Sequence, residues 1–159
     1  MKVSFTLNKQ QIQAEVEPGT TLLELLRRLG CASVKQGCDH GECGACTVLV
    51  DGRAFNACLL LAFQVEGRTV ETVEGLSRPT ELHPLQQAFL ETGAVQCGFC
   101  TPGMLMALEG LVRAEPQPKE TAVRDALAGN LCRCTGYVKP VQAALEFIKG
   151  KHEGDAGNR

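Results

Sequence analysis

The run Gly37-Cys38-Asp39-His40-Gly41-Glu42-Cys43-Gly44-Ala45-Cys46, completed by Cys58, decides how the N-terminal half of this chain is read. Its spacing is Cys-x4-Cys-x2-Cys, then eleven residues, then Cys, which is the ligand pattern of plant-type [2Fe–2S] sites. Gly37, Gly41 and Gly44 sit beside or between the three thiols of the loop. A loop that wraps a cluster needs positive φ angles and close approach of N–H groups to sulfur, and a Cβ obstructs both. Ligands packed into one tight loop suit a metal better than a disulfide framework. Zinc also accepts four thiolates, but zinc loops usually pair Cys-x2-Cys with Cys-x2-Cys, so iron–sulfur is the expected metal.

Composition narrows the partners. With 159 residues, 44% of them apolar, the chain can bury one ordinary core or two small ones. Sixteen basic against 18 acidic residues give a formal charge of -2 with no basic block. Neither nucleic acid nor an anionic membrane surface is therefore an expected partner. Met1-Lys2-Val3-Ser4-Phe5-Thr6-Leu7 alternates like a strand, so no secretory signal is expected. Arg27-Arg28 falls inside a predicted helix, too far along to be an export signal. No apolar stretch approaches the length of a membrane span. With nine cysteines and a reducing compartment expected, the thiols are better explained as metal ligands than as disulfides, and the expected location is cytoplasmic.

Residues 3–7 and 12–16 alternate apolar and polar and predict two strands, joined by a turn at Asn8-Lys9-Gln10. Thr21-Leu22-Leu23-Glu24 has capping-box spacing, and Leu22, Leu25, Leu26 and Leu29 predict a helix over 21–29 that Gly30 stops. Asp51-Gly52 between residues 47–50 and 53–56 predicts a tight hairpin that returns Cys58 beside the first three thiols. A last strand is predicted over 69–72. This arrangement looks like the β-grasp fold of plant-type ferredoxins.

Near Gly75-Leu76-Ser77-Arg78-Pro79 the apolar period changes from two to 3.6, which predicts a domain boundary. Leu82, Leu85 and Phe89 mark one helix, and Met104, Leu105, Leu108, Leu111 and Val112 a second that Thr101-Pro102 opens as N-cap and N1. Val123, Ala126 and Leu127 mark a third helix ended by Gly129, and Val141, Leu145 and Ile148 a fourth opening at Pro140. Four helices with short links predict a small bundle. The expected class is thus α+β, with an N-terminal β-grasp domain (1–76), a C-terminal four-helix-bundle domain (77–150) and a flexible tail (151–159).

Cys97-Gly98-Phe99-Cys100 precedes the second of these helices and Cys132-Arg133-Cys134 follows the third. Antiparallel helices with short links bring those ends together, so four thiolates can converge. Spacing alone leaves iron–sulfur and zinc both open for this second group. The runs Gly37-Cys38-x-x-Gly41-Glu42-Cys43-Gly44-Ala45-Cys46-Thr47-Val48, Gln96-Cys97-Gly98-Phe99-Cys100-Thr101-Pro102-Gly103 and Gly129-Asn130-Leu131-Cys132-Arg133-Cys134-Thr135-Gly136-Tyr137 resemble the iron–sulfur subunits of molybdenum hydroxylases. That family includes xanthine dehydrogenase, aldehyde oxidoreductase, aerobic carbon monoxide dehydrogenase and 4-hydroxybenzoyl-CoA reductase, and the resemblance covers about residues 2–150.

The resemblance implies two [2Fe–2S] clusters, the first on Cys38, Cys43, Cys46 and Cys58 and the second on Cys97, Cys100, Cys132 and Cys134. It implies an electron-transfer subunit relaying single electrons from a molybdopterin centre to a flavin. The pterin, expected in its cytosine dinucleotide form, belongs to a large partner subunit, and FAD to a medium one, with a dimer of heterotrimers as the expected assembly. Gln96 is the implied pterin contact and Cys134 the ligand nearest the pterin. The alternative is a free-standing two-cluster ferredoxin or a zinc-stabilised adaptor. No substrate chemistry is expected on this chain, and its sequence does not specify the substrate of the complex.

Other residues have simpler readings. Cys31 is expected to be a small buried apolar side chain. His40 is expected to face solvent, since four cysteines already complete the site. His83 and His152 are expected at the surface near helix ends, and Arg133 and Lys139 as solvated charges.

Overall fold

The computed structural model describes residues 1–78 and 80–156, with side chains described as far as Lys151. Strands β1 (Lys2–Leu7), β2 (Gln10–Glu15), β3 (Thr47–Val50), β4 (Arg53–Asn56) and β5 (Thr69–Glu71) form one sheet in the order β2-β1-β5-β3-β4. β1 and β5 are parallel and the other neighbours antiparallel. Helix α1 (Leu22–Arg28) buries Leu22, Leu23, Leu25 and Leu26. Four further helices follow: α2 (Pro84–Glu91), α3 (Thr101–Ala114), α4 (Glu120–Ala128) and α5 (Val138–Ala156). No helix among the described residues is long and apolar enough to cross a membrane.

Local chemistry accounts for the turns. Both two-residue hairpins have positive φ at both central positions, 47° and 71° at Asn8 and Lys9 and 50° and 78° at Asp51 and Gly52, the geometry that matches strand twist. Asn8 also fastens the end of β5, because its Nδ2 donates to Thr72 Oγ1 and its Oδ1 accepts from Thr72 N–H, both at 2.9 Å. The capping box of α1 is complete: Glu24 N–H donates to Thr21 Oγ1 at 3.2 Å and Thr21 N–H to Glu24 Oε2 at 2.7 Å.

The buried apolar side chains form two clusters. One gathers Val3, Phe5, Leu22, Leu26, Val48 and Val70 between the sheet and α1. The other gathers Leu85, Phe89, Met104, Leu108, Val123 and Phe147 among the helices. Helix α3 bridges the two halves, because it packs on β3 and β4 as well as on the other helices. Gly110 makes that approach possible. A Cβ there would lie 3.1 Å from Leu49 Cδ2 and 3.2 Å from the Ala54 Cβ, tighter than an ordinary van der Waals contact.

Several boundaries differ from the sequence expectations. Thr101 is the first residue of α3 and Cys100 occupies the N-cap without a side-chain cap bond. Pro102 still lies in the first turn, where no N–H is needed. α5 begins at Val138 rather than Pro140, and it continues through 151–156, the stretch expected to be a tail. Residues 157–159 and Pro79 lie outside the described residues, as does the His152 side chain. Leu82 precedes α2 and is 45% exposed.

His83 lies at a helix end as expected but is half-buried: its side chain is 20% exposed and caps α2 by accepting from Leu85 N–H through Nδ1 at 3.3 Å. Its Nε2 faces Glu109 Oε2 at 3.8 Å, and that oxygen has no hydrogen bond among the described residues. Glu109 Oε1 accepts from Arg113 Nε at 2.9 Å, while both terminal nitrogens of Arg113 donate to the Glu71 carboxylate. The hydrogen bonds to Glu71, ahead of those to Glu109, hold the Arg113 pKa above its ordinary value. The guanidinium therefore clamps α3 to β5.

Two substitutions test this bridge by chemical denaturation. Gly110→Val forces methyl groups into the α3–sheet contact and is expected to lower stability by about 1–3 kcal/mol. Arg113→Ala strands the Glu109 carboxylate, and a loss of about 2 kcal/mol is expected. That is less than a fully buried pair would lose, because Arg113 is 36% exposed.

Candidate metal centres

The first cysteine group is assembled by a loop and a hairpin. Cys38 and Cys43 lie in the irregular segment between α1 and β3, and Cys46 immediately precedes β3. The register Thr47↔Asn56 then returns the chain, Ala57 N–H donates to the Cys46 carbonyl at 3.2 Å, and Cys58 arrives in the 3-10 turn Ala57–Leu59. Asn56 Nδ2 donates to the Gly41 carbonyl at 2.9 Å and Thr47 Oγ1 to the Gly44 carbonyl at 2.7 Å, so strand residues brace the loop. Gly41 and Gly44 have φ of 85° and 64° as expected. Gly37 is required for a different reason: a Cβ there would meet Cys43 Sγ at 2.8 Å.

Cys38 hydrogen-bonds with Cys43 and Cys46 with Cys58, and Cys43 also lies within electrostatic reach of Cys46 and Cys58. Backbone N–H groups, His40 first and then Cys43, hold the Cys38 thiol down at about 6. Burial pushes Cys46 up to about 12 and raises Cys43 as well. The Cys43 N–H lies 3.4 Å from Cys38 Sγ.

The second group forms where the N-terminal end of α3 meets the C-terminal end of α4. Here Cys97 hydrogen-bonds with Cys134 and Cys100 with Cys132, while Cys100 also feels Cys97 and Cys134 feels Cys132. The Phe99 backbone N–H, followed by the Cys134 side chain, lowers the Cys97 pKa; burial pushes Cys100 up to about 11. Cys134 is raised, first by its hydrogen bond with Cys97. The Gly136 N–H donates to Cys132 Sγ at 3.2 Å. Gln96 Nε2 donates to the Cys134 carbonyl at 2.7 Å, tying the two cysteine segments together. A cavity of about 420 Å³ opens among Cys97, Cys100, Cys132, Phe99, Leu131 and Tyr137.

The arrangement of donors bears on which metal fits. Four thiols in each group, with N–H groups aimed at Cys38 and Cys132 sulfur, suit a group that divides four thiolates between two irons. Of the remaining candidates, Cys31 is 5% exposed and interacts with Glu74 and Thr72, apart from both groups. His40 is exposed and pairs with Glu42 at 3.3 Å. Arg133 and Lys139 are exposed.

Residue spacing does not show how the two groups are joined. Leu131 N–H donates to the Cys43 carbonyl at 2.9 Å, and Asn130 Nδ2 to the Gly44 carbonyl at 2.9 Å. Asn130 is 3% exposed. A Cβ on Gly44 would strike both the Gly129 carbonyl oxygen and the Asn130 amide. The only available hint was a polar residue two places before Cys132, which no periodicity singles out.

Similarity to known proteins agrees with these two centres. A family described as a 2Fe-2S iron-sulfur cluster binding domain matches residues 5–77, and one described as a [2Fe-2S] binding domain matches residues 72–145. The chain is 51% identical over 152 residues to the xanthine dehydrogenase iron-sulfur-binding subunit of Escherichia coli O157:H7, covering 94% of this chain and 95% of that one. It is 44% identical over 146 residues to the nicotinate dehydrogenase small FeS subunit of Eubacterium barkeri, covering 91% and 92%. A chain in the crystal structure of quinoline 2-oxidoreductase from Pseudomonas putida 86 superposes with a TM-score of 0.91 at 41% identity, covering 97% of both chains. With cysteine groups, domain matches and near full-length identity in agreement, the chain belongs to the iron–sulfur subunits of xanthine dehydrogenase, aldehyde oxidoreductase and related molybdenum hydroxylases.

Proposed function

We propose that residues 1–76 form a β-grasp domain and residues 77–150 a four-helix domain, each holding one [2Fe–2S] cluster. The first would sit on Cys38, Cys43, Cys46 and Cys58, the second on Cys97, Cys100, Cys132 and Cys134. The chain then relays single electrons from a molybdopterin centre in a large partner subunit to FAD in a medium partner subunit. The observation that carries this reading is that each group of four thiols has a backbone N–H aimed at sulfur, Cys43 N–H at Cys38 and Gly136 N–H at Cys132, with the groups joined through the hydrogen bond from Leu131 N–H to the Cys43 carbonyl. The matches to two families described as 2Fe-2S binding favour iron over a zinc adaptor.

A bound [2Fe–2S] cluster supplies one-electron redox chemistry. The chain's own residues would hold, tune and connect two such groups. N–H donors aimed at sulfur favour the more negative state and so set potential. The Cys43–Leu131 hydrogen bond places a residue of the first thiol group next to the neighbour of Cys132, a short bonded connection between the two groups.

Exposure supports a role inside an assembly. Around the second group Phe99 is 47% exposed, Leu131 55%, Tyr137 46% and Val138 73%. So many large apolar side chains beside a redox site favour a docked partner over a free-standing ferredoxin. Gln96 is exposed at the same place, and its amide oxygen accepts no hydrogen bond among the described residues. That oxygen is suited to a pterin N–H donor.

The purified complex should contain iron for two [2Fe–2S] clusters per copy of this chain and show two distinguishable S = 1/2 EPR signals on reduction. Cys43→Ser should remove one signal and Cys97→Ser the other; zinc in place of iron, or one signal throughout, overturns the reading. Gln96→Ala should leave both signals and slow reduction of the second centre by the molybdenum subunit. An unchanged rate would exclude Gln96 as the pterin contact.

A further inference from the structure

The segment from Cys132 to Tyr137 is held more tightly than two metal ligands require. Tyr137 folds back over its own loop, and its Oη accepts a hydrogen bond from the Cys132 N–H at 2.8 Å. From the same loop the Gly136 N–H donates to Cys132 Sγ at 3.2 Å. Thr135 has a φ of 59°, a left-handed conformation that β-branched residues rarely adopt. It is kept there by the bond from Thr135 Oγ1 to the Cys134 carbonyl at 2.6 Å and by the bond from Tyr137 N–H to the Thr135 carbonyl at 3.1 Å.

These contacts close a small ring. The phenol oxygen fixes the backbone of Cys132 at one end, and residue 136 presents its N–H to the sulfur of Cys132 at the other. Gly136 fits closely, since a Cβ there would lie 3.0 Å from Cys132 Sγ. The position of the N–H against sulfur therefore depends on the Tyr137 hydroxyl, although that hydroxyl does not touch the sulfur.

We propose that Tyr137 is a positioning residue for the second centre: by holding the Cys132 backbone it aims the Gly136 N–H at Cys132 Sγ and so raises the reduction potential there. The direction follows from charge. A hydrogen bond to a thiolate sulfur favours the more negative, reduced state, so weakening it lowers the potential. This inference rests on Cys132 being a cluster ligand as proposed above, which Cys132→Ser tests separately through loss of the second EPR signal.

The experiment is a redox titration of the holo-complex followed by EPR, comparing the parent with Tyr137→Phe, which removes only the oxygen. Full iron content is expected, with the second signal titrating at a more negative potential. At a fixed potential its reduced-to-oxidised ratio should fall several-fold, while the first signal stays where it was. Gly136→Ala, which pushes the donor away from the sulfur, should move the same signal in the same direction. Identical titrations of Tyr137→Phe and parent overturn the proposal, as does an equal shift of both signals. Loss of iron from Tyr137→Phe also overturns it, because the hydroxyl would then be holding the site together rather than tuning it.

Discussion

Two hydrogen bonds to backbone carbonyls determine how the two halves of this chain meet. Leu131 N–H and Asn130 Nδ2 reach the carbonyls of Cys43 and Gly44, so the loop carrying three cysteines of one group is fastened to the loop carrying two of the other. The bond from Asn130 is fully buried, and a buried amide without a partner is expensive, by roughly 1–3 kcal/mol. The loops are thus held in one register. Gly44 contributes by having no side chain, because any Cβ would push the Gly129 backbone and the Asn130 amide away.

Helix α3 extends the same join across the molecule. Its first turn begins directly after Cys100, its middle lies against β3 and β4 at Gly110, and its end is clamped to β5 through Arg113 and Glu71. One rigid element therefore starts at the second cysteine group and is braced on the sheet that ends at the first. A shift of the helix along the sheet would disturb both the Gly110 contact and the ion pair. The geometry between the groups is set by packed secondary structure rather than by flexible loops.

Much of this was legible in the sequence because covalent spacing encodes it. The Cys-x4-Cys-x2-Cys run, the Asp51-Gly52 turn and the Thr21–Glu24 cap each act over a few residues, and each lies where local chemistry puts it. The convergence of Cys97 and Cys100 with Cys132 and Cys134 also followed from helix order. The join between the halves did not, because it uses main-chain carbonyls, which carry no side-chain signature. α3 was read as a helix with one apolar face, yet it is covered on two sides, which is why Glu109 is 5% exposed and why His83 turns inward towards it. Helix starts moved by one or two residues where a cysteine or proline occupies the first turn, since neither the cap at Cys100 nor Pro140 needs a side-chain acceptor.

The bond from Leu131 to Cys43 also has a consequence for the order in which the protein matures. On the ribosome, residues 37–58 emerge long before residues 129–134 have been joined to the chain. Until then the Cys43 and Gly44 carbonyls have only water or local groups as partners. The nascent first loop has its braces from Thr47 and Asn56 but lacks the two bonds from residues 130 and 131. The finished chain holds that loop from residues 130 and 131 as well, whereas the nascent chain holds it through nearby residues such as Thr47 and Asn56.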